Sequence, residues 1–351
     1  MTTRYILPLL MLMIFICSCE NEIDFNKAAR PPKLIMNALI NADSTNNILY
    51  LNKTGQYVIS DVTNASVEVR VNDVLVETPK AIPIPTGDFV SLQKRFLITT
   101  KFHPGDKVRI DARTEDGEFH AWAEVVVPQP PIPIEKVDTA TALVCEYGNY
   151  YNRLLRYRIT FSDRPDEKNY YRLVLERRYT LYATMYRRGT ISGSLALKDT
   201  VLTQQNFRML PREDVVLTDG HPTTSEDDEN GMFEQAQNTY GVFDDSRFSG
   251  QSYTMTVYPS GSDSWPYLFE SHDVTRRTLD TYVRILSISE TDFQYLKALN
   301  LSESDFADDV TMEPVTFASN VHGGLGIVSI STETSVKINI SDEKYDPYNP
   351  Y

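Results

Sequence analysis

The stretch at residues 65–79, "ASVEVRVNDVLVETP", sets the expectation for the whole fold. Valines recur at every second position on both sides of an Asn-Asp pair; they are Val67, Val69, Val71, Val74 and Val76. A period of two places such side chains on one face of a strand, and Asn-Asp suits a two-residue hairpin turn. The stretch therefore predicts a β-hairpin with one apolar face.

The same pattern extends in both directions. Residues 33–40, "KLIMNALI", alternate in the same way, and residues 106–127 predict a second hairpin that turns at Asp116-Gly117. Several short strands at this spacing predict an N-terminal immunoglobulin-like β-sandwich over residues 33–127. Four prolines then fall within residues 128–135, and they predict a stiff connector because proline cannot donate a ladder hydrogen bond.

A larger β-rich domain is predicted over residues 136–351. Alternating stretches indicate strands near 153–163, 170–188, 252–258, 281–287 and 335–340. One short helix is expected to begin after Ser289, with Asp292 completing a capping box and an apolar stripe at Phe293, Leu296 and Leu299. The polar residues 200–250 predict long loops. The fold class is therefore mainly β, with one short helix.

The N-terminus has the layout of an export signal. Arg4 precedes an apolar block, and "FICSCE" at residues 15–20 follows it. Ile16, Cys17, Ser18 and Cys19 resemble a bacterial lipoprotein signal, which places the lipid on Cys19. We therefore predict a signal peptide over 1–18 and a spacer over 19–32. An ordinary signal peptide and a buried N-terminal helix are the alternatives.

Charge and cysteine content narrow the class of protein. The formal net charge is -14, and it becomes -15 without residues 1–18, which hold one Arg and no acid. Such a chain is not expected to bind nucleic acid through general electrostatics. Cys145 is the one cysteine left after processing and lipidation, so no internal disulfide is expected, and we interpret it as a buried structural thiol.

Residues 151–190 have an unusual composition. Ten Lys and Arg meet four Asp and Glu there, and tyrosines lie among them. Arg and Tyr together are common in protein interfaces and can also hold anionic or sugar-like ligands. The alternative is a set of outward strand residues that pair with acidic loops. The candidate ligand or partner patch consists of Arg156, Arg158, Arg172, Arg178, Tyr170 and Tyr182.

Other motifs give weaker signals. Residues 226–237 can be laid over a calcium loop, but its first and twelfth positions depart from the pattern, so we favour a solvated acidic loop. The five histidines have no metal-binding spacing, and no Gly-x-Ser-x-Gly elbow is present. "HGGLG" at residues 322–326 predicts close backbone packing or a bulge beside a strand. We expect no cofactor, no metal and no enzymatic activity.

Several segments together resemble the domain of unknown function 4249 family, lipoproteins of Bacteroidota. They are "SCE", "KLIMNALI", "NASVEVRVND", "FHPGDKVRIDA", "AEVVVPQPPIPIEKVD", "FSDRPDEKNYYRLVLE", "GVFDDSRFSGQSYTMTVY" and "SNVHGGLGIVSI". The resemblance implies a lipid-anchored outer-membrane protein, facing the cell surface or the periplasm, that binds a ligand or docks on a TonB-dependent receptor in nutrient uptake. A structural or adhesive surface protein without a transport role is the alternative.

Overall fold

The computed structural model describes residues 31–55, 59–62, 64–83, 94–147, 150–187, 195–206, 214–218, 238–258, 272–303 and 315–344. Strands dominate this part of the chain, and they form sheets of ten, five and three strands. The prediction of a mainly β protein is confirmed. Within the described residues the sheets enclose two separate apolar cores, so this part of the chain forms two β-sandwiches.

The first sandwich is built from the N-terminal strands. These are β1 (Leu34–Asn41), β2 (Asn47–Thr54), β3 (Ile59–Ser60), β4 (Ala65–Val71), β5 (Val74–Glu77), β6 (Lys80–Ile82), β7 (Lys94–Ile98), β8 (Lys107–Thr114) and β9 (His120–Val126). Burial alternates along β1 as the sequence predicts. The β4–β5 hairpin is also confirmed, and Asn72 and Asp73 both have positive φ, as a twisted two-residue turn requires.

The second sandwich is built from longer strands. The remaining elements, in chain order, are β10 (Lys136–Tyr147), β11 (Tyr150–Ser162), β12 (Tyr170–Arg187), β13 (Leu195–Asn206), β14 (Val242–Asp244), β15 (Ser252–Val257), β16 (His272–Ile288), α1 (Glu290–Ser302), β17 (Val321–His322) and β18 (Gly324–Lys344). Of these, β17 is the last short strand of the first sandwich. A sheet in the order β10-β11-β15 lies over the sheet β13-β12-β16-β18. Tyr157 and Thr281 join the two layers by a buried 2.9 Å hydrogen bond.

Helix α1 begins where its capping box predicts. The backbone N–H of Asp292 donates to Ser289 Oγ, and that of Ser289 donates to the Asp292 carboxylate, each over 3.1 Å. Phe293 and Leu296 of the predicted stripe are buried and pack on Tyr170 and Ile288, while Leu299 is half-buried. The helix therefore covers the end of the large sheet where β12 begins.

Strand β18 belongs to both sandwiches. Residues 324–331 pair in parallel with β1, whereas residues 332–344 pair antiparallel with β16. Val328 and Ile330 accordingly enter the first core, and Val336 and Ile338 pack against the second. The predicted division into domains at residues 33–127 and 136–351 stays a prediction. It does not account for residues 324–331, which pair with the first sandwich although they lie near the C-terminus.

The glycines of "HGGLG" allow that return. A Cβ built at Gly324 would overlap the carbonyl oxygen of Leu34, and one at Gly326 would overlap that of Met36. Gly326 also has a φ of +105°, which disfavours any side chain. The predicted close backbone packing beside a strand is confirmed, and it lets β18 lie against β1.

Candidate functional site: an outer strip on the large sheet

The candidate site lies on the outer face of the large sheet in the second sandwich. Leu173 and Leu175 of β12 point into the core, so the residues between them point outward. Neighbouring strands continue the outward row, because Arg178 pairs with Asp280, and Tyr282 pairs with both Glu176 and Lys337. We call this surface the outer strip; it consists of Glu176, Arg178, Tyr182, Arg276, Asp280, Tyr282, Arg284, Glu333, Lys337 and Asp342.

A buried carboxylate holds two arginines at the centre of the outer strip. Glu176 is 5% exposed, and its oxygens lie 3.3 Å from Arg178 Nη2 and 3.5 Å from Arg284 Nη2. Arg284 also reaches Glu333, with 3.6 Å between Nη1 and Oε2. Burial raises the pKa of the Glu333 carboxyl, although Arg284 opposes this. The acids thus hold both guanidinium groups in place.

Tyr282 supplies an aromatic surface beside these arginines. Arg178 Nη1 donates a 3.0 Å hydrogen bond to the Tyr282 hydroxyl, and the guanidinium carbon lies 4.4 Å from the ring centroid. On the next strand, Lys337 Nζ lies 2.9 Å from Asp280 and 5.8 Å from the same ring centroid. The ring therefore lies between two cations whose positions are fixed by carboxylates.

The far end of the outer strip repeats this arrangement. Arg276 forms two hydrogen bonds of 2.7 and 2.6 Å with the Asp342 carboxylate. Its guanidinium carbon also lies 5.2 Å from the ring centroid of Tyr182. A bidentate contact fixes the plane of the guanidinium group as well as its position.

Exposure separates the two signs of charge. The side chains of Glu176, Asp280 and Glu333 are 7, 10 and 20% exposed. Those of Arg178 and Lys337 are 32 and 52% exposed. At the centre of the outer strip water therefore meets the cations more than the acids, whereas at its far end Arg276 and Asp342 are equally exposed, at 40% each. Arg and Tyr on a prearranged surface are the residue types that contribute most to protein binding.

Of the six predicted patch residues, the outer strip contains Arg178 and Tyr182. Arg172 lies on the same face but bonds the segment beside helix α1: its Nε donates 2.9 Å to the carbonyl of Tyr240, whose N–H donates to Asn300 of the helix, and burial lowers the pKa of Arg172. Tyr170 is buried against Phe293, with ring centroids 5.0 Å apart. These two residues are therefore packing residues.

Arg156 and Arg158 lie on the opposite side of the sandwich. They alternate with the buried Tyr157 and Ile159 on β11, so they point outward from the three-stranded sheet. The six residues are not brought together on one surface, because β11 and β12 follow each other in sequence but lie in opposite layers. The local excess of positive charge is also divided between two faces.

The residues that complete the outer strip were not identified from the sequence. Asp280, Tyr282 and Arg284 alternate with the buried Thr281 and Val283 in a strand that the sequence did predict. This alternation was the sequence signal that could have placed them on the outer face of the strand. The pairing of β12 with β16 and of β16 with β18, which brings them beside Arg178, has no local signature.

The predicted lipid site and calcium-like loop, and the question of metal and membrane segments, concern other parts of the chain. Cys19 and the calcium-like stretch at 226–237 lie outside the described residues. Within the described ranges, no group of three or more His, Cys, Asp or Glu residues is placed to hold a metal ion. Among the helical residues that the structure describes, no segment has the length and apolarity to cross a membrane.

Fold and site together define a class: a two-sandwich β protein that shares one strand between its cores and has a prearranged Arg/Tyr face. The chain belongs to the family described as domain of unknown function (DUF4249), whose model matches residues 20–337. The predicted family membership is thereby confirmed. No curated protein matches the chain.

Proposed function

We propose that this chain is a docking protein whose outer strip contacts a partner protein. The observation that carries the proposal is the layering at the centre of the strip, where Arg178 and Lys337 are more exposed than the carboxylates of Glu176 and Asp280 that hold them. Because Glu176 and Asp280 hold the cations in place, little side-chain freedom is lost when a partner binds. Because these carboxylates also neutralise the cations above them, the cations of the strip repel each other only weakly when a partner binds.

The proposed setting is the outer membrane. A lipid on Cys19 would tether the folded part, and the 14 residues from 19 to 32 would extend about 50 Å at most. The proposed partner is a TonB-dependent receptor, for which the chain would be an accessory in nutrient uptake, facing the surface or the periplasm. The lipoprotein signal pattern and the family resemblance support this setting.

A structural or adhesive role at the cell surface is the second candidate. Strand β18 runs for 21 residues through both sandwiches, so the two units share a continuous hydrogen-bonded sheet. Such a connection suits a protein that transmits force. Normal uptake in a strain without the gene, together with altered adhesion, would favour this role.

The docking proposal is tested by gentle purification from membranes. The double variant Arg276→Ala and Lys337→Ala removes two exposed cations of the outer strip, while Arg158→Ala removes an exposed cation from the opposite face. We expect the barrel receptor to co-purify with the wild type and Arg158→Ala, and to be reduced about tenfold or more with the double variant. Equal recovery with all three proteins would refute the proposed face.

Growth and processing give two further tests. Deletion of the gene should impair growth on one nutrient, and normal growth on every nutrient without any co-purified barrel would contradict the accessory role. Mass spectrometry of the native protein should find a start at an acylated Cys19. An unprocessed or unacylated start would remove the proposed tether.

A further inference from the structure

The second sandwich has one side closed by its own chain. Along the outer edge of β15, Asp214 accepts 2.7 Å hydrogen bonds from the backbone N–H of Thr256 and from the hydroxyl of Tyr253. Residues 214–218 also contact the segment before β14, because Asn238 Nδ2 donates to the carbonyl of Leu217 over 3.0 Å. The edge of β15 is therefore covered.

Among the residues that the structure describes, none pairs with the strand edges on the other side, which we call the open side. Tyr157 lies over Thr281, so β11 covers β16. Strand β15, on one side of β11, lies towards β14 through residues 214–218. Strand β10, on the other side of β11, must therefore lie towards β18. Pro128, in the connector to β10, accepts a 3.3 Å hydrogen bond from Thr332 of β18, in agreement with this arrangement. Within the described residues, β10 pairs only with β11, and residues 332–344 pair only with β16. Two unpaired edges thus lie on the same side.

Inward side chains on this side are left partly exposed. Val336 and Ile338 are half-buried, although their cross-strand neighbours Val283 and Thr281 are fully buried. On β10, Thr139 is exposed, although it shares a face with the buried Tyr157. Positions that a complete sandwich would bury therefore face solvent.

The first half of β18 shows how this chain covers an edge when it does so itself. On the side away from β1, Asn320 donates to the carbonyl of Val328 over 2.7 Å and accepts from its N–H over 3.0 Å. Ser319 Oγ donates to the carbonyl of Gly326 over 2.6 Å. In the described part of the chain, the backbone of residues 333–339 has no comparable side-chain cover; beyond this range, the carbonyl of Ser341 accepts from Asn339 Nδ2 over 3.3 Å. An edge of this kind is a template for another strand.

We propose that a second copy of this chain covers the open side. A two-fold axis perpendicular to the two layers would pair β18 with β18 and β10 with β10, both antiparallel, so one operation satisfies both edges. The half-buried Val336 and Ile338 of the two copies would then bury each other.

The size of the open side fits a stable dimer. Strand β10 has 12 residues and residues 332–344 are 13, so each copy offers 25 residues. A standard interface uses about 20 to 30 residues on each side. The inference does not depend on the outer strip, but it would place two strips side by side on one continuous sheet.

The test is sedimentation of the chain from residue 19 onward, with Cys19→Ser to leave out the lipid. We expect the wild type to be a dimer, and Ile338→Lys or Thr139→Lys to weaken self-association about tenfold or more, because an inward charge blocks an edge. Val74→Lys is the matched control, since it places lysine at an exposed valine on the short edge strand β5. It should leave the dimer intact.

A second measurement does not depend on these variants. In a Cys145→Ser background, single cysteines at 335, 337 and 339 should include at least one that cross-links two copies through β18. A monomer at every concentration overturns the proposal and leaves the open side to a strand of another protein. A dimer that resists both Ile338→Lys and Thr139→Lys, with no cross-link at these positions, also overturns it.

Discussion

The two sandwiches use the same strand and complete their structures differently. In the first, residues 324–331 of β18 lie inside the sheet, with β1 on one side and the Asn320 side chain on the other. In the second, residues 332–344 form the last strand of the large sheet in the described chain. The first unit covers its part of β18 itself, whereas the second unit has both proposed contact surfaces, the outer strip and the open side.

The largest expected effect compares two isoleucines on β18. Ile330 is fully buried in the first core, whereas Ile338 is half-buried at the open side. Ile330→Ala should lower the free energy of unfolding by about 2–5 kcal/mol, and Ile338→Ala by less than about 2 kcal/mol, because less apolar surface is lost. Urea unfolding followed by the circular dichroism of the strands reports on both sandwiches. A larger loss for Ile338→Ala would reverse the comparison.

The next effect tests the close approach of β18 to β1. Gly326→Ala should lower the free energy of unfolding by about 3 kcal/mol or more, because it adds a clash with the Met36 carbonyl to the strain of a positive φ. Gly105→Ala is the matched control: its φ is +86° and nothing lies within 4 Å of the added Cβ. It should lose only about 1 kcal/mol. Equal losses in thermal or urea unfolding would show that the approach is not tight.

A smaller effect concerns the buried acid Asp292 in the first turn of helix α1. Burial raises the pKa of Asp292 from 3.8 to about 6, although hydrogen bonds from Ser329 and Ser289 oppose this. The native state therefore holds more protons between about pH 4 and pH 6, so stability falls as the pH rises through this range. Asp292→Asn retains a capping acceptor and should raise the free energy of unfolding at pH 8 by about 1–3 kcal/mol.

The measurement for Asp292 is the pH dependence of unfolding in urea. The variant should gain stability over the wild type between pH 4 and pH 7, and the gain should be constant above that range. Glu290→Gln changes an exposed acid in the same helical turn and is the control. It should leave the pH profile nearly unchanged. A loss of stability in Asp292→Asn at pH 8 would show that the charged form is favoured in the folded protein.

The smallest expected effect on stability is at the outer strip. Arg276 forms an exposed ion pair with Asp342, and such pairs contribute little because solvent screens them. Arg276→Ala should therefore leave the thermal unfolding temperature unchanged while weakening partner binding. A clear drop in that temperature would show that the pair supports the fold.

Local patterns predicted most of the individual elements. Alternation found β1 and the β4–β5 hairpin, and Ser289 with Asp292 marked the start of α1. The division of β18 between two sheets was not predictable in this way, because Ile40 and Ile330 are neighbours through a pairing across most of the chain. The outer strip was missed for the same reason: Glu176 and Glu333 meet Arg284 only after three distant strands have paired.

The most direct test of the docking role is photo-cross-linking in living cells. A photoreactive residue at Lys337 would sample the outer strip, and one at Arg113, exposed on β8, would sample the first sandwich. We expect an adduct with another protein from position 337 and none from position 113. An adduct from 113 alone would contradict the assignment of docking to the second sandwich.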